Sequence, residues 1–235
     1  MKKRLVKSEQ SNEFKIFGLD ISQISLIVSN LILLIGVIFF SWKIINYLIL
    51  LWLESIIIGF YTIIKMFFAR PLSKKERKIY SKNKFQEKFI TISMKIIYPI
   101  FFIIHYVPIA GFLGIFSIDM LYSILYNNGL PVPFSSLFSS IYIILIPLII
   151  IFISHGISFY INFIRKKEYK TISSSELMLM PYYRIGILYL VYFISLIIFL
   201  NLKIPTLSLL FIILVKIISD FYMHNKEHQT PIFIR

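Results

Sequence analysis

ISQISLIVSNLILLIGVIFFSW, residues 21–42, holds no Asp, Glu, Lys or Arg. A helix rises about 1.5 Å per residue, so this run alone crosses a hydrocarbon layer about 30 Å thick. Five further apolar runs follow, and each ends at a short charged stretch. The expected spans are 21–40, 44–68, 96–117, 137–164, 182–200 and 206–222. The residues 41–43 and 201–205 read as tight turns. NNGLPVP, inside an expected outer connection over 119–133, carries turn chemistry.

Composition agrees. Hydrophobic residues make up 58% of the 235, with 23 Phe and 15 Tyr, whereas charged residues are 15% and clustered. Such alternation describes a chain whose solvent is a bilayer. The formal net charge of +14 would point to nucleic acid in a soluble protein. Here no nucleic-acid motif accompanies it, and basic loops on one side of a membrane account for it. Cysteine is absent, which removes disulfides, thiolate chemistry and Cys-ligated zinc or iron–sulfur centres. The first 20 residues are basic and lack a short apolar core with a small-residue cleavage site, so they do not read as a removable signal.

The charges also orient the chain. Segments 1–19, 70–88, 165–170 and the C-terminal tail hold nineteen Lys and Arg, against Lys43 and Lys203 on the opposite side. Cytoplasmic loops are enriched in Lys and Arg. The expectation is therefore an all-α, polytopic bundle of six transmembrane helices in the cell membrane with both termini cytoplasmic. It divides into a basic segment 1–20, a membrane domain 21–225 and a tail 226–235. Its surroundings are the bilayer and, at the inner leaflet, anionic headgroups. RPLSKKERKIYSKNKFQEK (70–88) and the basic loop 165–181 each contain a capping-box pair, Ser73 with Glu76 and Ser173 with Glu176. Phe85, Phe89 and Ile92 suit a helix lying against the membrane surface.

Ionisable side chains inside hydrocarbon cost several kcal/mol unless paired or hydrated, and so mark sites. In this chain they are Glu54, His105, His155, Lys216 and Asp220, with Lys65, Arg184 and His224 nearer the cytoplasmic boundary. His105 lies nine residues after Ile96, and His155 nine before Ile164, so each is about 14 Å from the cytoplasmic end of its helix. Lys216, Asp220 and His224 recur at i, i+4, i+8 on one helical face. Pro108 frees the Ile104 carbonyl beside His105. Taken singly, a membrane His is more often a packed hydrogen-bonding residue, and Lys216 with Asp220 a neutralised pair. One polar group on each of four helices favours a shared site. His105, His155, Asp220 and His224 are candidate ligands of a divalent metal such as zinc, and Glu54 a ligand or general base. Lys216, Arg184 and Lys65 are candidates for ion pairing or for holding an anionic group. Two activities fit: a metal-dependent intramembrane hydrolase and an ion- or proton-coupled carrier of a small solute. A structural membrane subunit is the third possibility.

Named intramembrane chemistries fit poorly. There is no Gly-x-Ser-Gly nucleophile segment, no HExxH, no Walker loop and no dinucleotide fingerprint. Glu54, the FxxxH of Phe101 to His105, and His155 follow the order used by CAAX-type endopeptidases. However, the paired Glu and trailing Arg are missing, and Phe159 stands where Asn or Asp would follow the second His.

A closer likeness rests on LWLESIIIGFYTIIKM (51–66), FFIIHY (101–106), ISHGISFYINF (153–163), PYYRIGIL (181–188) and KIISDFYMH (216–224). Together these resemble an uncharacterised prokaryotic family of six-span membrane proteins, a domain of unknown function. The likeness covers spans 2 to 6, departs at Tyr189, where a His is expected, and implies no activity.

Overall fold

A computed structural model describes residues 19–40, 42, 44–80, 84–127, 129, 141–202 and 205–228. The described residues are helical and contain no strand. The helices are α1 (Ile21–Phe40), α2 (Ile44–Phe68), α3 (Lys74–Tyr80), α4 (Lys84–Asn127), α5 (Ile141–Ser158), α6 (Ser174–Leu202) and α7 (Pro205–His228). The last turns of α5 widen into a π-helix, Phe159–Arg165, and a 3₁₀ turn follows at Glu168–Lys170. Among the described residues, five helical stretches are long and apolar enough to cross a membrane: Ile21–Phe40, Ile45–Phe68, Phe85–Asn127, Ile143–Arg165 and Ser174–Ile198.

The first two spans have their expected limits. Two others differ. The 119–133 stretch is not an outer connection throughout, because α4 continues to Asn127. Its 44 residues measure about 66 Å. Leu121 and Leu125, four apart on one face, are buried there, which is what keeps this segment helical. Gly129 then takes φ +70, a left-handed conformation open to glycine, and its N–H donates to the Tyr126 carbonyl. The loop expected over 165–181 ends early, since α6 starts at Ser174 and runs through Pro181. The start is set by the capping box: the Ser173 N–H donates to Glu176 (2.8 Å), and the Glu176 N–H to Ser173 Oγ (3.3 Å). The Ser73–Glu76 box closes the same way, at 2.7 and 3.2 Å. Most of the expected segment 1–20 and the tail from 229 lie outside the described residues.

Helix α2 is the hub, packing against α4, α5, α6 and α7, while α1 bridges α5 and α7. α2 and α4 approach closely because each offers a glycine to an aromatic ring of the other. A Cβ on Gly59 would fall 2.4 Å from the Tyr106 ring, and one on Gly114 would fall 2.2 Å from Trp52. Small residues that let helices approach are a usual basis of association in lipid, where no hydrophobic drive exists between helices. The Tyr106 hydroxyl also donates to the Ser55 carbonyl (2.7 Å).

One end of the bundle gathers the start of α1, the end of α2 and the start of α6. It also holds the π-segment and the end of α7. Ser22 meets His224 and Asn162 there. The Arg70 carbonyl accepts from the Ser174 N–H, and Ser174 Oγ donates to the Met66 carbonyl. The charged stretches 70–88 and 165–170 flank this end, which is called the basic end below.

Candidate functional site

Lys216 is the centre of a buried network. Its ammonium has three protons and three acceptors, each on a different helix: Asn30 Oδ1 of α1 (2.8 Å), Glu54 Oε1 of α2 (3.1 Å) and Asp220 Oδ2 of α7. The Asn30 amide donates in turn to Asp220 Oδ2 (3.2 Å) and to the Leu26 carbonyl (3.1 Å). Arg184 of α6 brings its Nε to 3.7 Å from the other Asp220 oxygen. His155 of α5 brings its Nε2 to 3.7 Å from Glu54 Oε1, the oxygen already shared with Lys216. Glu54, Lys216, Asp220, Arg184 and Asn30 are all buried. Five helices thus contribute, and two cations face two carboxylates. Balance of this kind is what makes buried charge tolerable, since an isolated ion would lose its hydration without recompense.

A partly open cavity lies between this network and the basic end. The space open to the centre of a water-sized sphere is about 40 Å³, more than a single water needs. Its charged and ionisable lining is Lys65, His155, Arg184 and His224. Hydroxyls of Ser22, Tyr61, Thr62, Ser154 and Ser158 complete the polar wall, and among the described residues no carboxylate lines it. Arg184 and His155 therefore separate the cavity from Asp220 and Glu54.

A second polar cluster adjoins the cavity through Ser22 and His224, which line it. Ser22 Oγ donates to Asp20 Oδ1 (2.7 Å), accepts from Asn162 Nδ2 (3.0 Å) and lies 3.1 Å from His224 Nε2. The one hydroxyl proton goes to Asp20, so the imidazole contact is satisfied with His224 as donor. Lys166 Nζ reaches Asp20 Oδ2 at 3.4 Å. Burial raises the Asp20 pKa, but the Gln23 N–H, the Ser22 hydroxyl and Lys166 outweigh it, and the carboxyl ends below its ordinary value.

The structure thus joins Glu54, His155, Lys216, Asp220 and Arg184, with Lys65 and His224 on the adjoining cavity. The early start of α6 puts Arg184 in its third turn, where it is buried. His224 is buried as well. His105 is not brought in. It is exposed on α4, stacks on Phe101 and lies 2.9 Å from the Tyr182 hydroxyl through Nδ1. Among the described residues no three His, Asp or Glu side chains are placed to hold a metal ion. Tyr189 lines a second, smaller cavity with Ser55, Ser117 and Tyr192.

Asn30, Ser22, Asn162 and Asp20 are the participants a survey of ionisable groups within the spans passes over. Asn30 did leave a signal. Ser22, Leu26, Ser29, Asn30, Leu33 and Val37 share the buried stripe of α1, so an amide sits where an aliphatic side chain would otherwise pack.

The sequence profile of a family of unknown function matches residues 13–231. No curated protein and no solved structure matches the chain.

Proposed function

The chain belongs to DUF6498, a family of unknown function, and from that premise we propose that it is a proton- or ion-coupled carrier of a small solute. The observation that carries this is the sharing of Glu54 Oε1 between Lys216 of the central network and His155 of the cavity wall. A proton on His155 competes with Lys216 for that oxygen. Events in the cavity thereby alter a bridge that ties α1, α2 and α7 together. Intramembrane ionisable groups in exchangeable pairs are the usual parts of coupled transport.

In this reading α7 is the sixth crossing, and the basic end is cytoplasmic, with both termini there. The nineteen-to-two distribution of Lys and Arg supports this. So does the meeting of the α1 start with the α7 end through Ser22 and His224. Solute then enters from the cytoplasm or the inner leaflet of the cell membrane.

The test is charge movement on a solid-supported membrane carrying proteoliposomes, with jumps of anionic, cationic and neutral solutes. The expected result is a solute-evoked current that Glu54→Gln abolishes, His155→Gln weakens, and His105→Ala leaves intact. A current unaffected by Glu54→Gln, or none with any solute class, overturns the reading.

Metal-dependent hydrolysis keeps one supporting feature, His155 and His224 on a single cavity wall. His105 stands outside that cavity and Asp220 is engaged by Lys216 and Asn30. Elemental analysis of gently purified protein decides it: one equivalent of divalent metal per chain reinstates this reading.

A further inference from the structure

We infer that the cavity at the basic end is a binding site for a small oxyanion of the phosphate class, borne by free phosphate or by a phosphomonoester headgroup. This rests on the carrier reading and names what the carrier's site takes.

The first ground is charge. Within the network, Lys216 and Arg184 balance Glu54 and Asp220. Lys65 lies outside that balance. It stands one turn from the end of α2, is half-buried, and lines the cavity. Its ammonium sits 6.0 Å from the centre of the Phe163 ring, and among the described residues it has neither a hydrogen bond nor an ion pair. An ammonium held against an aromatic face, beside a wall with no carboxylate among the described residues, leaves that wall with a positive charge the described residues do not compensate. In a partly dry site an anion is the ligand that such charge recruits.

The second ground is the kind of donor. Thr62 and Tyr61 give their hydroxyl protons to the Ile58 and Phe152 carbonyls, and Ser22 gives its proton to Asp20. Among the described residues, the donors these bonds leave unused on the cavity wall are Lys65 and the Ser158 hydroxyl; Arg184 and His155 stand beside them on the same wall. Ser158 accepts from Asn162 (3.4 Å), and its own proton is not used by any described acceptor. A planar guanidinium fork, an ammonium, a hydroxyl and an imidazole approach from α6, α2 and α5. Several donors from several directions suit a ligand with several oxygens.

The experiment is calorimetric titration of inorganic phosphate into the full-length chain in nanodiscs of phosphatidylcholine. It is repeated in discs containing phosphatidic acid. Binding in the first discs is expected, with a Kd raised about tenfold by Lys65→Gln, the loss of one charge-assisted contact. Lys65→Arg restores it, and Lys75→Gln on the exposed face of α3 has no effect. Weaker phosphate binding in the phosphatidic acid discs, lost together with the Lys65 dependence, assigns the site to a headgroup; undiminished binding assigns it to the free ion. No phosphate binding in phosphatidylcholine together with no Lys65-dependent retention of phosphatidic acid overturns the inference, as does binding that Lys65→Gln leaves unchanged. Glu54→Gln separates the two claims. If phosphate binds as expected yet evokes no Glu54-dependent current, the site stands and the carrier reading falls. If other solutes drive that current and phosphate does not bind, the carrier reading stands and the oxyanion assignment falls.

Discussion

Toward the end remote from the basic loops, the bundle is filled by Leu33, Tyr47, Leu50, Leu121, Leu196 and Ile212, with aliphatic neighbours from every long helix. Toward the basic end the same helices enclose Lys216, Glu54, Asp220, Arg184 and a cavity lined by hydroxyls and cations. Both halves are buried, but different forces hold them. The apolar half depends on close contact, because lipid tails are as apolar as leucine and expel nothing. The polar half depends on reciprocal neutralisation, because each ion would be costly without its partner. The first is a seal that tolerates imperfection, the second a device in which losing one member strands the others.

Replacing Lys216 should break this contrast most severely. Lys216→Met leaves Glu54 and Asp220 facing each other with Arg184 alone to balance them. The expected loss is about 3–5 kcal/mol, read as a lower unfolding midpoint in mild detergent. Adding Glu54→Gln to Lys216→Met should recover part of it. A destabilised single variant with no recovery in the double variant would show that packing, not charge, holds the polar half.

The apolar half should answer more mildly. Leu50→Ala opens a void at a side chain that is 1% exposed. The expected cost in the same assay is roughly 2–3 kcal/mol, at the low end for such truncations because no hydrophobic transfer supports the site. A cost exceeding that of Lys216→Met would reverse the comparison.

The smallest effect lies outside the bilayer. Glu76 accepts from the Ser73 N–H and from the Tyr98 and Ser175 hydroxyls, joining α3, α4 and α6 at the basic end. Burial raises its pKa, but these bonds together take it below the ordinary 4.5. For an acid whose folded pKa is depressed, the stabilisation is complete above the unfolded value and fades as pH falls through the folded one. Glu76→Gln should therefore cost about 1 kcal/mol or less at neutral pH, as for a lost helix cap partly open to solvent. It should also remove part of the decline in stability below pH 4.5. An acid profile identical to that of the unaltered chain would deny Glu76 this role.

His105 and His155 show where legibility in the sequence stopped. Each lies nine residues from the expected cytoplasmic end of its helix, and each is surrounded by Ile and Phe. Hydropathy sets depth, so both were placed at about the same level. Neither run has the strong one-sided pattern that would set rotation, because lipid and the bundle interior are both apolar. Rotation about the helix axis decided that His155 meets Glu54 and His105 meets Tyr182. Arg184 shows the same limit along the axis. Pro181 invited a boundary, and the Ser173–Glu176 cap, midway along the loop expected over 165–181, moved the helix start and put Arg184 inside the helix.

The sequence by itself determined the helical class, five of the spans, both capping boxes and the list of ionisable groups carried into the membrane. Those follow from local terms: transfer cost per residue, backbone hydrogen bonding, and contacts three residues apart. Which of those groups meet was decided by tertiary packing alone. Asn30 entered the network, His105 stayed out, and Lys65 came to face a cavity that no carboxylate lines among the described residues. The reason is geometric. Pairing depends on distances of about 3 Å between side chains on different helices, and these are set by how five helices turn against one another around α2.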